Sequence, residues 1–97
     1  MIDGYLSNMR VFDDVSDGKG RALKPLEEAA EIFGAWRGFD GMRDVPAWRD
    51  MRDDLIDECM DTVQAIANLL AAVDATQGEV DAAVKRMNER NENRGRL

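Results

Sequence analysis

The chain contains no histidine, one cysteine and two prolines in 97 residues. Without histidine, every Ser-His, Cys-His and His-ligated zinc scheme is excluded, and carboxylates remain as the proton acceptors near neutral pH. The lone Cys59 cannot form an intramolecular disulfide, and neither a basic-then-apolar leader nor an 18-residue apolar run is present. A soluble protein of the reducing cytoplasm, away from membranes, is therefore expected. Positive charge is also scarce: 13 Lys and Arg stand against 20 Asp and Glu, a formal charge of -7. That balance disfavours nucleic acid and anionic membrane surfaces as partners, and an anionic ligand would need a cation between itself and the protein. If a metal binds, oxygen donors favour Mg, with Mn as a possible substitute.

Alternating β-branched runs, internal repeats and low-complexity linkers are missing too. The expectation is an all-α fold, a small helical bundle of three to four helices in a single domain over residues 1–97. A monomer of this size buries only about 60 to 65% of its unfolded surface, so oligomerisation, as a homodimer or homotetramer, is expected to complete the bundle.

Along the chain, Tyr5, Met9 and Phe12 fall at i, i+4 and i+7 and hint at a short N-terminal helix, followed by the turn-forming DDVSDGKG. Read as a calcium loop from Asp13, that stretch fails, because Val15 and Lys24 occupy the third and twelfth positions, where carboxylates are required. Pro25 suits a first helical position and Glu27 and Glu28 suit a helix N-terminus, which predicts a helix from about Lys24 to Arg37, stopping near Gly38. GFDGMRD then reads as a connecting loop. Pro46 can open a second helix, and Met51, Leu55, Cys59, Ile66, Leu69, Leu70 and Val73 recur at helical spacing up to about Asp74. The wide apolar arc on this helix is expected to meet a partner subunit. Thr76 and Glu79 form a capping box, and Val80, Val84 and Met87 form a stripe, predicting a third helix from about Gln77 to Arg90 with a basic polar tail at 91–97.

Against this frame the acids of PLEEAAEIF, residues 25–33, stand out, since no Lys or Arg follows Glu27 or Glu31 at three or four residues. Glu28 and Glu31 project to one side of their helix together with Ile32 and Ala35. In DECMD on the second helix, Glu58 and Asp61 repeat the i, i+3 spacing, with Glu58 at the border of the apolar arc near Ala65 and Leu69. If the two edges face each other, four carboxylates converge, and a divalent cation converts their repulsion into coordination. Spacing alone also accommodates two solvated faces.

The pair Glu27-Glu28-Ala-Ala-Glu31 and Glu58-Cys-Met-Asp61 resembles the E-E-x-x-E and E-x-x-D motifs of the all-α nucleoside triphosphate pyrophosphohydrolases. That superfamily includes MazG-like proteins, dimeric dUTPases and phosphoribosyl-ATP pyrophosphohydrolases. The resemblance covers about Leu23 to Arg94. It implies a magnesium site that cleaves a nucleoside triphosphate between its α and β phosphates, giving a nucleoside monophosphate and pyrophosphate. Carried over by position, Glu28, Glu31, Glu58 and Asp61 would hold the metal, and Glu27 would be a supporting acid or the group that orients the attacking water. Lys85, Asn88, Asn91 and Arg94 would reach the substrate phosphates. The chain departs from the family in its reduced N-terminal helix, a region that helps close the base pocket, so the base is not carried over.

Three residue groups have plainer readings. The basic end of the third helix complements the helix dipole. Trp36 and Trp48 are expected in a core or interface more than against a base, and Cys59 as a small hydrophobe. The reading from a different class is a non-enzymatic helical oligomerisation or regulatory protein with an acidic, protein-binding face.

Overall fold

A computed structural model describes residues 9–42 and 45–97. Within these residues lie three helices, α1 Lys19–Phe39, α2 Trp48–Ala72 and α3 Gln77–Asn93, and no strand. The protein is all-α. None of the helices is long and apolar enough to cross a membrane.

α1 begins earlier than its proline suggests, at Lys19, with Pro25 inside the helix. The proline forfeits one bond, the one its N–H would make to the Arg21 carbonyl. The turn before it closes nonetheless, with the Ala22 N–H donating to the Gly18 carbonyl at 3.1 Å. This upstream extension places Arg21 on the helix as well as Lys24, two turns and one turn before Glu28. The short N-terminal helix is not found where it can be checked: Met9 to Phe12 is non-helical, and Tyr5 lies outside the described residues.

α1 and α2 pack antiparallel. Near the connecting loop, Met51 Sδ lies 3.7 Å from where a Cβ would stand on Gly38. Glu31 and Glu28 meet Glu58 midway, and at the far end Gly18 and Arg21 share a cleft with Asn68. Small residues on α2 permit the approach, with Thr62 and Ala65 among the few buried positions of the described residues. Asn68, only 2% exposed, is fully engaged as an acceptor. Its Oδ1 receives the Phe12 N–H at 3.0 Å and Gln64 Nε2 at 3.1 Å, while Gln64 Nε2 also donates to the Arg10 carbonyl at 2.8 Å. Residues 10–12 are thereby strapped across α2, which leaves no buried polar group of Asn68 wanting a partner.

α2 closes in a Schellman turn. The Ala75 N–H reaches the Leu70 carbonyl at 3.0 Å and the Asp74 N–H the Ala71 carbonyl at 3.0 Å. Asp74 takes the left-handed position, φ 59°, usually given to glycine. Thr76 then caps α3: its Oγ1 accepts the Glu79 N–H at 3.1 Å, and Glu79 Oε1 accepts the Thr76 N–H at 3.0 Å. α3 runs three residues past Arg90 to Asn93, so the start of the expected tail is helical.

Of these elements only α1 and α2 pack extensively on each other. No residue of α3 is buried, and Val84 and Met87 of its apolar stripe lie exposed. The chain exposes 7516 Å², whereas a compact monomer of 10.9 kDa exposes about 5,600 Å² by mass scaling.

Candidate functional site

Antiparallel packing sets Glu31 level with Glu58 and Glu28 level with Asp61. One carboxylate oxygen each from Glu28, Glu31 and Glu58 lies within 4.8 Å of the other two. For comparison, opposite oxygens around an octahedral Mg are about 4.2 Å apart. Glu31 is exposed and Glu28 is half-buried, as is Glu58. Glu58 Oε2 is buried and accepts no hydrogen bond, while Thr62 Oγ1 binds the Glu58 carbonyl instead of the side chain, at 3.0 Å. Loss of hydration, followed by the charge and hydrogen bonding of Glu31 and the charges of Asp61 and Glu28, raises the Glu58 pKa above its ordinary value.

A hard divalent cation fits this donor set, because it would give Glu58 Oε2 the partner that the protein does not supply and neutralise the crowded carboxylates. The fit rests on oxygen donors only. Asp61 lies outside the trio and instead lines, with Glu28, an adjoining cleft of about 520 Å³.

Glu27 is placed apart. It is rotated about 100° from Glu28, its side chain is 63% exposed, and it pairs with Lys24 at 3.5 Å. Lys24 Nζ also sits 3.3 Å from Glu28 Oε1. The hydrogen bond and charge of Glu28, then those of Glu27, raise the Lys24 pKa. Glu27 and Glu28 therefore do share a basic partner, on their N-terminal side. Reading only C-terminal neighbours missed it.

The cleft runs from the acids to the beginning of α1, with Arg21, Lys24 and Glu28 along one wall and Asp61, Ala65 and Asn68 along the other. Arg21 Nε is buried within the protein without an acceptor. Phe12, an exposed ring, lines the same cleft. Arg21 lies outside the helix expected from about Lys24 and inside the one observed from Lys19. Continued upstream, Arg21, Lys24 and Glu28 fall at i, i+3 and i+7, one face of a helix.

Lys85, Asn88, Asn91 and Arg94 lie on or just past α3, and none lines the cleft. Asn91 Oδ1 accepts from Arg96 Nη1 at 3.3 Å, and Arg94 caps the helix. Trp36 stacks on Phe33 with ring centroids 5.9 Å apart and stays exposed, contrary to a core position. Trp48 packs at a tilt on Phe39, 6.1 Å between centroids. Cys59 is half-buried.

Comparison with protein-family models, curated proteins and solved structures finds no match to the chain. The functional reading accordingly rests on the residues and their geometry.

Proposed function

We propose that the protein is a magnesium-dependent nucleotide pyrophosphohydrolase of the cytoplasm, MazG-like in its site. On this reading it converts a nucleoside triphosphate to the monophosphate and pyrophosphate in nucleotide-pool cleaning. The observation that carries the reading is the convergence of Glu28, Glu31 and Glu58 from two helices, with a buried Glu58 oxygen left without a partner. Glu28, Glu31 and Glu58 would hold the metal, with Asp61 one turn along α2 facing the cleft side. A divalent ion held by these residues would supply charge neutralisation for phosphate and activation of water.

The chain's own residues supply the rest. Phosphoryl transfer asks a protein mainly for positioning and charge stabilisation, and the cleft lays two cations, Lys24 and Arg21, along the path leading away from the acids. The unpartnered Arg21 Nε wants an acceptor, which a phosphate oxygen provides. Phe12 offers an apolar plate for a base. Asp61, the carboxylate nearest the cleft outside the trio, is placed to accept or orient a water proton. Glu27, tied to Lys24 on the exposed side, holds that lysine in place. Lys85, Asn88, Asn91 and Arg94 remain candidates for phosphate contacts when the oligomer is assembled.

Purified protein incubated with a nucleotide panel and Mg tests this reading. Pyrophosphate release that stops with EDTA and in Glu58→Gln is expected, and full activity in EDTA would overturn it. A second reading, a non-enzymatic oligomerisation or regulatory protein, is favoured by one observation: the unburied stripe on α3. It predicts a flat thermal response to every Mg-nucleotide pair.

A further inference from the structure

Among the described residues, both ion pairs are made by one side chain, Lys24. Its Nζ stands 3.5 Å from Glu27 Oε2 and 3.3 Å from Glu28 Oε1. The two partners differ in setting: the Glu27 side chain is 63% exposed and that of Glu28 only 14%. Glu28 also belongs to the trio with Glu31 and Glu58. One carboxylate is thus claimed from two directions, by the lysine of its own helix and by the cluster it shares with α2. Helix stability does not account for the pair, because a lysine four residues before its glutamate is the weaker order. A pair this exposed at its lysine also contributes little to the fold.

We propose that Lys24 is the site's internal counter-ion, which holds Glu28 while no divalent ion is bound and turns to phosphate once one is. This inference rests on the magnesium-dependent reading above and adds to it a residue that links metal and nucleotide. Charge is its ground. Glu28, Glu31 and Glu58 crowd together, and Lys24 is the cation in contact with them. Arg21, on the same wall of the cleft, makes no ion pair among the described residues. A carboxylate already neutralised by an ammonium is a poorer donor to a second cation, so Lys24 opposes metal binding when nucleotide is absent.

Release of Lys24 from Glu28 leaves the ammonium with an acceptor, since Glu27 Oε2 lies beside the same Nζ. Glu27 thereby has a use that its exposure denies it as a ligand: it retains Lys24 when Glu28 is taken. Lys24 also lines the cleft of about 520 Å³ that leads from the acids, so the freed charge faces the phosphates of a nucleotide. The residue therefore works against the ion alone and in favour of the ion with its nucleotide. Such coupling is reciprocal, each ligand raising the affinity for the other.

Calorimetric titration of the full chain near neutral pH tests this in two arms. Magnesium is titrated alone, and inorganic pyrophosphate is titrated at saturating magnesium. Lys24→Gln should bind magnesium roughly two- to fivefold more tightly and pyrophosphate more weakly, a reversal of sign that simple loss of structure would not give. Lys24→Arg should restore the wild-type order in both arms. Arg21→Gln should weaken pyrophosphate alone, because Arg21 does not touch a carboxylate of the trio. Unchanged or weaker magnesium binding in Lys24→Gln, or equal tightening in Arg21→Gln, would overturn the proposal. Pyrophosphate release from nucleotides, followed in parallel, separates the two readings. Hydrolysis with no magnesium effect of Lys24→Gln overturns the counter-ion alone, whereas the reversal of sign without hydrolysis of any nucleotide overturns the pyrophosphohydrolase alone. A wild type that binds no magnesium overturns both.

Discussion

The two sides of α2 are unfinished in opposite ways. Toward α1, small residues bring the helices close and press three carboxylates together, so what is missing there is positive charge. Away from α1, large apolar residues stand in solvent, so what is missing is apolar surface. A helix of 25 residues thus presents two unlike faces, and the difference shows how a chain of 97 residues can place a cluster of acids beside little core. The tight face holds the acids in register, and stability would come from the loose one.

The largest expected effect separates the faces by chemistry. Glu58→Gln should lower Mg-dependent pyrophosphate release by roughly a hundredfold or more, while leaving the sedimentation of the protein unchanged. Packing gives the next. Ala65→Leu at the tight face should overpack it and cost about 1–3 kcal/mol, whereas Ile66→Ala on the open face should change association before it changes helix content. Denaturant melts at several protein concentrations distinguish these.

The cap of α3 follows. Thr76→Ala should cost about 1 kcal/mol, seen as a drop of about 4–8 °C in Tm.

Titration then sharpens the contrast, because two glutamates shift in opposite directions. The Glu58 pKa is raised, so its contribution to stability is present below the ordinary value of 4.5 and lost as pH rises through the higher folded value. Metal-free protein should therefore lose stability on going from acid toward neutral pH, with Glu58→Gln flattening that fall. The Glu79 pKa is lowered, chiefly by the Thr76 backbone N–H, so its contribution is present above 4.5 and lost as pH falls through the lower folded value. Melts from pH 3 to 7 of wild type, Glu58→Gln and Glu79→Gln read both limbs. The smallest effect is a gain: Asp74→Gly relieves a left-handed non-glycine residue and should stabilise by about 0.5–1 kcal/mol.

Much of this was legible before any coordinates. α3 begins where Thr76 and Glu79 said it would because a capping box is a local device, complete within four residues. The i, i+3 pairs of acids were equally readable, since helix geometry alone puts Glu28 with Glu31 and Glu58 with Asp61. The start of α1 was not, because Pro25 carries a strong local signal for a first position and packing against α2 outweighed it. That earlier start is what brings Arg21 into the cleft, whereas Lys24 escaped notice as a partner of Glu27 and Glu28 because it lies on their N-terminal side. Nor could spacing show that Asp61 would sit beside the trio rather than in it, or that Asn68 would strap residues 10–12 to α2. Those are settled by which helix lies across which, at distances no short window contains.

The central claim is that Glu28, Glu31 and Glu58 form a divalent-cation site. The most direct measurement is a thermal melt of wild type and Glu58→Gln across a magnesium series at neutral pH, with and without nucleoside triphosphate. The wild type should gain about 2.7 kcal/mol at a hundred times the dissociation constant, while Glu58→Gln should start from a higher metal-free Tm and stay flat. A wild type that ignores magnesium under both conditions, or a Glu58→Gln protein that responds equally, would contradict it.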